Sequence, residues 1–359
     1  MFGTLPLEVK MFNCSPKTKL SRRFSRREFV TSTSLMALGL YTGGVTLPFA
    51  TASEMKNRQD KISMTGLVTD KRYLRHFQNA THPESPQRLR AISQRLKSSG
   101  LDKVLIHIPP TTDALRYIGK IHPESHIKLV AKQAADESIC RLAVSGVLSA
   151  VDAVCTGKVK NAFCAIRPPG HHATDTGEYG FCFYNNIAIA ARYAQQKYGL
   201  KKILIVDWDY HHGNGTEWVF YDDPTVLVFS THALYAFPRT GAANRIGTGK
   251  GQGFNINVPL SHGAGDKEIL KAFNEQLLPA ANKFRPDLVL VSAGFDSRQD
   301  DPLGDFTVTD TGFAELTRLI MAIATKYSNS RLVSTLEGGY NTVGLALAVE
   351  AHIKSLMVK

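Results

Sequence analysis

The sequence has few of the residues that staple small folds. Five cysteines are scattered over 359 residues, too few and too spread out for a disulfide framework. No Cys-x-x-Cys pair occurs, which excludes a cysteine-rich zinc site. No run is apolar enough for a confident membrane span; the nearest, 30–52, is uncharged but diluted by Thr, Ser and Gly. No Lys/Arg run beyond the first 30 residues resembles a nucleic-acid patch, so no direct nucleic-acid partner is expected. Internal repeats and low-complexity linkers are also missing. What is there is 43% hydrophobic and 21% charged, with a net charge of +12. That is the composition of a globular chain. A chain this long buries enough of its surface to fold without staples.

Part of the basic excess sits at the start. Residues 1–52 hold seven Lys/Arg and two Asp/Glu. Arg26-Arg27-Glu28-Phe29 precedes a weakly apolar stretch that ends in Ala50-Thr51-Ala52. A charged segment, a short apolar segment and an Ala-x-Ala end are the parts of an export signal. Adjacent arginines followed by Phe resemble a bacterial twin-arginine signal. The expectation is an export signal over 1–52, read by the export machinery, and a periplasmic or secreted mature protein. Cys140, Cys155, Cys164 and Cys182 are expected to be small buried hydrophobes.

From about residue 63 the chain alternates apolar β-branched runs with amphipathic helical ones. Strands are predicted at 104–108, 162–166, 203–207, 226–230, 288–292 and 332–336. Helices are predicted near 86–99, 124–133, 142–156, 185–198, 267–283, 310–327 and 342–356. Nearly continuous apolar strands separated by helices predict a mostly parallel sheet covered on both faces. The expected fold class is α/β: a single three-layer α/β/α catalytic domain over 63–359. In such sheets ligands bind beyond the carboxyl ends of the strands. Four predicted strands run into chemically rich segments there: Arg167-Pro-Pro-Gly-His171-His172, Trp208-Asp209-Tyr-His211, Ala293-Gly-Phe-Asp296 and Glu337-Gly-Gly-Tyr340.

Asp209 and His211 are two residues apart, so both side chains address one point from an extended chain. Asp296 arrives from another strand end. Two carboxylates and one imidazole leave an open position on a tetrahedral zinc, as in catalytic sites. The adjacent His171 and His172 cannot both be easily protonated, so their pKa values should separate, giving an acid/base pair. Tyr340 follows a Gly-Gly turn and is placed to donate to a developing oxyanion. Taken singly, a His-His pair or a Tyr after Gly-Gly is most often structural. Their coincidence at four strand ends points to metal-assisted hydrolysis of an amide or ester.

Several longer motifs run through the chain. They are Arg-Pro-Pro-Gly-His-His-Ala (167–173), Gly-Phe-Cys-Phe-Tyr-Asn-Asn (180–186), Asp-Trp-Asp-Tyr-His-His-Gly-Asn-Gly (207–215), Ala-Gly-Phe-Asp-Ser (293–297), Asp-Pro-Leu-Gly (301–304) and Leu-Glu-Gly-Gly-Tyr-Asn (336–341). Together they resemble the zinc-dependent histone deacetylases, whose relatives include acetylpolyamine amidohydrolases and acetoin-utilisation proteins. The wording is closest to the class II branch. The resemblance implies an arginase-like fold and one Zn2+ held by Asp209, His211 and Asp296. It implies His172 as general base, His171 as its companion oriented by Asp207, and Tyr340 as transition-state stabiliser. Asn214 stands where class I members carry an Asp facing the base, so His172 should be the less basic histidine. Gly180, Phe181 and, allowing a one-residue slip, Phe237 match the walls of the acyl-lysine tunnel. Leu303, also at a substrate-binding position, stands where polyamine-selective relatives can carry Glu. A structural K+ is implied, with contacts from Asp207, Asp209, His211, Ser230 and Thr231. Asp136 is the only nearby match for an Asp that grips substrate backbone, in a loop shorter than the family's. Residues 81–88 match the N-terminal rim loop, a candidate substrate contact or helix cap.

The expected activity is removal of acetyl or short acyl groups from an acetylated lysine peptide or a small acetylated amine. The alternative is an acetylpolyamine or other small-molecule amide hydrolase. A binding module without catalysis is disfavoured by the intact set of five residues. A di-manganese ureohydrolase is disfavoured by the lack of further bridging carboxylates.

Overall fold

The computed structural model describes residues 64–358 apart from 78, 80, 135, 175, 176, 178 and 179. The export signal expected over 1–52 lies outside the described residues. Eight strands form one sheet: β1 (Thr65–Val68), β2 (Ile106–Ile108), β3 (Asn161–Cys164), β4 (Ile203–Asp207), β5 (Val226–Ala233), β6 (Asn255–Leu260), β7 (Leu288–Ala293) and β8 (Leu332–Leu336). Their order is β2-β1-β3-β8-β7-β4-β5-β6, and every pairing is parallel. Every residue of β3, β4, β5, β7 and β8 is buried. That burial requires helices on both faces. Gln87–Ser98 and Asp310–Tyr327 both pack on Thr342–Leu356, and Glu137–Cys155 packs on Asn186–Tyr198. Glu137–Cys155 is apolar enough in composition to cross a membrane, but 78% of that window is buried within the fold.

The strand order explains how the site assembles. β3, β8, β7 and β4 are consecutive neighbours. The four strands that run into the histidine pair, the Tyr340 turn, Asp296 and the Asp209 segment therefore end side by side. Asp207 lies opposite Ser292 of β7 and Ser230 of β5.

Some element boundaries differ from the sequence reading, each for a local reason. The first predicted strand starts at Ile106 rather than 104, because a 3-10 turn, Leu101–Lys103, occupies the preceding residues. The strand predicted at 162–166 is Asn161–Cys164, since its ladder with β1 ends at the Val68–Cys164 pair. β1 and β6 were not predicted. β1 is four residues with Thr and Gly in it, and β6 reads Asn-Ile-Asn-Val-Pro-Leu, where Pro is tolerated only because β6 is the sheet edge. The helix predicted at 267–283 is Asp266–Ala272 and Leu278–Phe284 joined by a π segment, Phe273–Leu277. Pro279 lacks the N–H that a regular α-helix would use there, and the widened turn sits directly before it.

Candidate active site

Asp209, His211 and Asp296 meet at the carboxyl end of the sheet, with one ligand atom from each within 4.8 Å of the others. His211 Nδ1 lies 3.2 Å from Asp209 Oδ1 and 3.0 Å from Asp296 Oδ2. The remaining carboxylate oxygens are fixed by backbone. Asp209 Oδ2 accepts from Gly338 N at 2.8 Å, and Asp296 Oδ1 accepts from Tyr210 N at 2.9 Å. A side chain at Gly338 would put a Cβ 2.1 Å from Asp296 Oδ2, so only glycine lets that backbone come so close.

The electrostatics of this trio fit a bound dication. Burial and the neighbouring Asp209 push Asp296 up to about 7. Burial also opposes the charge on Asp209, yet His171 and His211 hold it well below the usual carboxylate range. Burial lowers His211, but the two carboxylates carry it up to about 10. Two buried like charges this close are mutually destabilising. A divalent cation offsets both, and a carboxylate–imidazole–carboxylate set suits zinc with a position left open.

His171 and His172 stand beside the trio, their rings 4.1 Å apart. His171 Nδ1 donates to Asp207 Oδ2 at 2.9 Å, and Asp207 Oδ1 accepts from Asp209 N at 3.0 Å. Burial alone would lower His171, but Asp207 and Asp209 raise it well above its ordinary value. His172 Nδ1 bonds Asn214 Oδ1 at 2.7 Å. An amide oxygen can only accept, so Nδ1 carries the hydrogen and Nε2 is left with a free lone pair. Burial, reinforced by the neighbouring His171, holds His172 well below its ordinary value. The two rings thus separate in opposite directions.

The Tyr340 turn is held by Asp301 and Arg88, which lie in the 301–304 and 81–88 segments but whose role in holding it no sequence pattern showed. Asp301 Oδ2 accepts from Tyr340 N at 2.6 Å and Asn341 N at 3.1 Å, and Asp301 Oδ1 accepts from Leu303 N at 3.0 Å. Arg88, fully buried, donates from Nε to Gly339 O at 2.6 Å and from Nη2 to Glu337 O. Its guanidinium lies 5.1 Å from the centre of the Tyr340 ring. Glu84 ties Arg88 to Arg167, which it binds through both carboxylate oxygens. Glu337 accepts from Gly170 N at 2.7 Å, His171 N at 3.2 Å and Ser292 Oγ at 3.0 Å. It thereby fixes the backbone of the histidine pair. Glu337 also forms a second close triplet with His171 and Cys182, but those hydrogen bonds already occupy both its oxygens. A carboxylate directly after a buried strand was the available signal for Glu337; nothing local marked Arg88, 251 residues from Gly339.

At the rim, the Phe181 ring meets Tyr340 edge-on at 6.1 Å, and the Phe237 ring meets His172 at 5.2 Å and His211 at 6.3 Å. Gly180 has φ +53, and a Cβ there would lie 2.2 Å from His172 Cδ2. Leu303 is exposed. In the 81–88 loop, His82 packs edge-on against Phe181 at 4.7 Å, while Glu84 serves the arginine pair rather than a helix cap. Asp136 is taken up elsewhere: Oδ1 caps Glu137–Cys155 by accepting from Ser138 N, and Oδ2 pairs with Arg75 at 2.8 Å. This corrects the expectation of a substrate contact, because both its oxygens are committed to the fold. Ser230 and Thr231 lie within β5, buried, with Ser230 Oγ 3.0 Å from His232 Nδ1. Cys140, Cys164 and Cys182 are buried and Cys155 is half-buried, as expected of small apolar side chains.

Residues 82–356 match the histone deacetylase domain family. A probable deacetylase of Archaeoglobus fulgidus is 36% identical over 297 residues, covering 78% of this chain and 82% of that protein. The human polyamine deacetylase HDAC10 is 38% identical over 301 residues, covering 76% of this chain but 44% of that longer protein. Among solved structures, the HDA15 HD domain superposes with a TM-score of 0.78 at 37% identity, covering 82% of this chain and 88% of that one. The fold, the family match and these relatives agree: the chain belongs to the histone deacetylase domain family.

Proposed function

We propose that this chain is a zinc-dependent amidohydrolase that removes acetyl or short acyl groups from acetyl-lysine-like amines. The observation that carries the reading is the meeting of Asp209, His211 and Asp296 next to His172, whose Nε2 is free to accept a proton. Bound zinc supplies a polarised acyl carbonyl and a more acidic water. His172 Nε2 takes the proton of the attacking water, then returns it to the leaving amine. His171, paired with Asp207, stays charged and keeps His172 neutral until that transfer. Burial raises the Tyr340 phenol well above its ordinary value, so it keeps its proton and donates it as a hydrogen bond to the developing oxyanion. Phe181 and Phe237 flank an uncharged aliphatic stem. A structural K+ near Asp207, Asp209, His211, Ser230 and Thr231 belongs to the same proposal, supported by Asp207 facing Ser230 in the sheet register.

A small acetylated amine, including a polyamine, is the second substrate reading, favoured by the likeness to a polyamine deacetylase. The zinc-loaded protein should be screened on acetyl-lysine peptides, acetylpolyamines and short-chain acyl esters. Turnover of the peptides above the others supports the first reading. Turnover of none contradicts both.

Arg88 acts as a positioning residue. Lysine keeps its charge but cannot reach two carbonyls and a carboxylate at fixed angles. Hydrogen bonds from a charged donor contribute about 1.5–3 kcal/mol each. Arg88→Lys should therefore lower kcat roughly tenfold or more while KM and zinc content change little. A purely structural role would instead lower thermal stability and leave the kcat of the folded fraction intact.

The export part of the proposal rests on Arg26-Arg27 and Ala50-Thr51-Ala52, with a mature start near Ser53. Replacing both arginines by lysine should leave the precursor in the cytoplasm. Unchanged export on cell fractionation would rule out the twin-arginine route.

A further inference from the structure

A cavity of about 410 Å³ adjoins the site, with Asn214, Glu217, Trp218, Tyr235, Arg239 and Arg245 among its walls. It shares a boundary with the catalytic centre twice over. Asn214 is the residue that holds His172. Tyr235 and Arg239 bracket Phe237, whose ring packs on His172.

Three features give this cavity a ligand preference. The first is exposed aromatic surface: Trp218 is 60% and Tyr235 80% exposed. Rings left so open have no packing role in the fold, and clustered exposed aromatics mark binding surfaces. The second is backbone conformation. Tyr235 (φ 63) and Arg239 (φ 64) both occupy the left-handed region, which is costly for large side chains and is held where a site needs them aimed. The third is charge. Glu217 is the acidic residue in the wall, and Arg245 Nε, Asn255 Nδ2 and Asn257 Nδ2 all donate to it. Arg245 is thereby neutralised and also stacks over Tyr221. Arg239 is exposed and no carboxylate in the wall is left to answer it.

We propose that this cavity is a subsite for an acidic residue next to the acyl-lysine in a peptide substrate. The proposal rests on the deacylase reading above. Arg239 meets the carboxylate, and Trp218 and Tyr235 cover the stem of the flanking residue. Consecutive peptide residues are about 3.8 Å apart, so a residue one or two positions from the acyl-lysine is at the right spacing for a cavity whose walls include Tyr235 and Arg239, two residues either side of Phe237. A flanking cation, including the free amines of a polyamine, meets Arg239 unopposed.

The test compares kcat/KM for acetyl-lysine peptides identical except for Glu, Gln or Lys at the flanking positions, at low salt. Exposed ion pairs change equilibria by up to about fivefold. The wild type should prefer Glu over Lys by about threefold or more, with Gln between them. The ratio should shrink at high salt. Arg239→Glu should invert the order, and Arg239→Gln should abolish it. Both changes are at an exposed position, and each ratio is internal to its own variant, so loss of overall activity does not obscure it. Equal kcat/KM for Glu and Lys peptides, with acetate still released, overturns the subsite and leaves the deacylase reading standing. No turnover of any acetyl-lysine peptide overturns both.

Discussion

Asp296→Ala is expected to lose zinc and, with it, essentially all turnover. Structural zinc sites contribute roughly 10–16 kcal/mol in total, so loss of one ligand of three costs several kcal/mol of metal affinity. That is a thousandfold or more at 1.4 kcal/mol per decade. The same substitution also strips the acceptor from Tyr210 N, which Asp296 Oδ1 holds at 2.9 Å. An unpaired buried donor costs about 1–3 kcal/mol, which could be mistaken for the metal effect. Asp296→Asn keeps an acceptor and the shape, and separates the two. Without metal, Asp296 is already pushed up to about 7 by burial and by Asp209, so neutralising it relieves a strained pair. The metal-free asparagine variant should therefore be no less stable than the metal-free wild type. Zinc raises the melting temperature of a protein in proportion to how tightly the native state binds it. Added zinc should stabilise the wild type and leave Asp296→Asn nearly unmoved. Metal analysis showing full zinc retention in Asp296→Ala would refute the assignment.

Tyr340→Phe is expected to cut kcat by about a hundred- to a thousandfold, the usual cost of one oxyanion donor. The change removes one oxygen and leaves the ring contacts with Phe181 and Arg88 in place. Asp301 holds the turn through backbone N–H groups, so the turn should not move. Zinc content and KM should stay close to wild type, because the lost hydrogen bond forms mainly in the transition state. His172→Ala should be at least as damaging, since loss of a general base costs on the order of 10²–10⁴. His171→Ala should be milder if His171 only sets the charge state of its neighbour. Steady-state kinetics of the three variants on one acetyl-lysine peptide give this ranking directly. A Tyr340→Phe enzyme with near wild-type kcat would mean that another group holds the oxyanion.

The legible parts of this molecule were those with a local signature. Ile203–Asp207 and Leu332–Leu336 read as strands because every residue is apolar or small up to the last, and both are central strands. Asp310–Tyr327 and Thr342–Leu356 read as helices over their full length; in the fold Thr309 and Asn341 cap them. The edge strand Asn255–Leu260 was not legible, since its polar residues and Pro259 mimic a loop and only pairing with β5 makes it a strand. The same division holds in the site. An Asp-x-Asp-x-His run alone is more often a turn; Asp209, His211 and Asp296 stood out because they coincide with the histidine pair and Tyr340 at four strand ends. Arg88, Glu84 and Asp301 did not. Their work is hydrogen bonding to backbone and to one another across the fold, and no spacing in the chain encodes a contact between residues 88 and 339. Asp136 shows the limit of matching by position: in the shortened loop the only nearby Asp caps a helix and pairs with Arg75.

In the proposed mechanism one zinc, held by Asp209, His211 and Asp296, works with His172 and Tyr340 to hydrolyse an acyl amide. The measurement that tests it most directly is acetate release from a single acetyl-lysine peptide by protein stripped with a chelator and then titrated with zinc. The stripped protein should show no turnover, and activity should rise to a plateau at one zinc per chain. Tyr340→Phe should take up the same zinc yet release acetate at least a hundredfold more slowly. Undiminished turnover after the metal is removed, or full zinc uptake with no acetate released by the wild type, would contradict it.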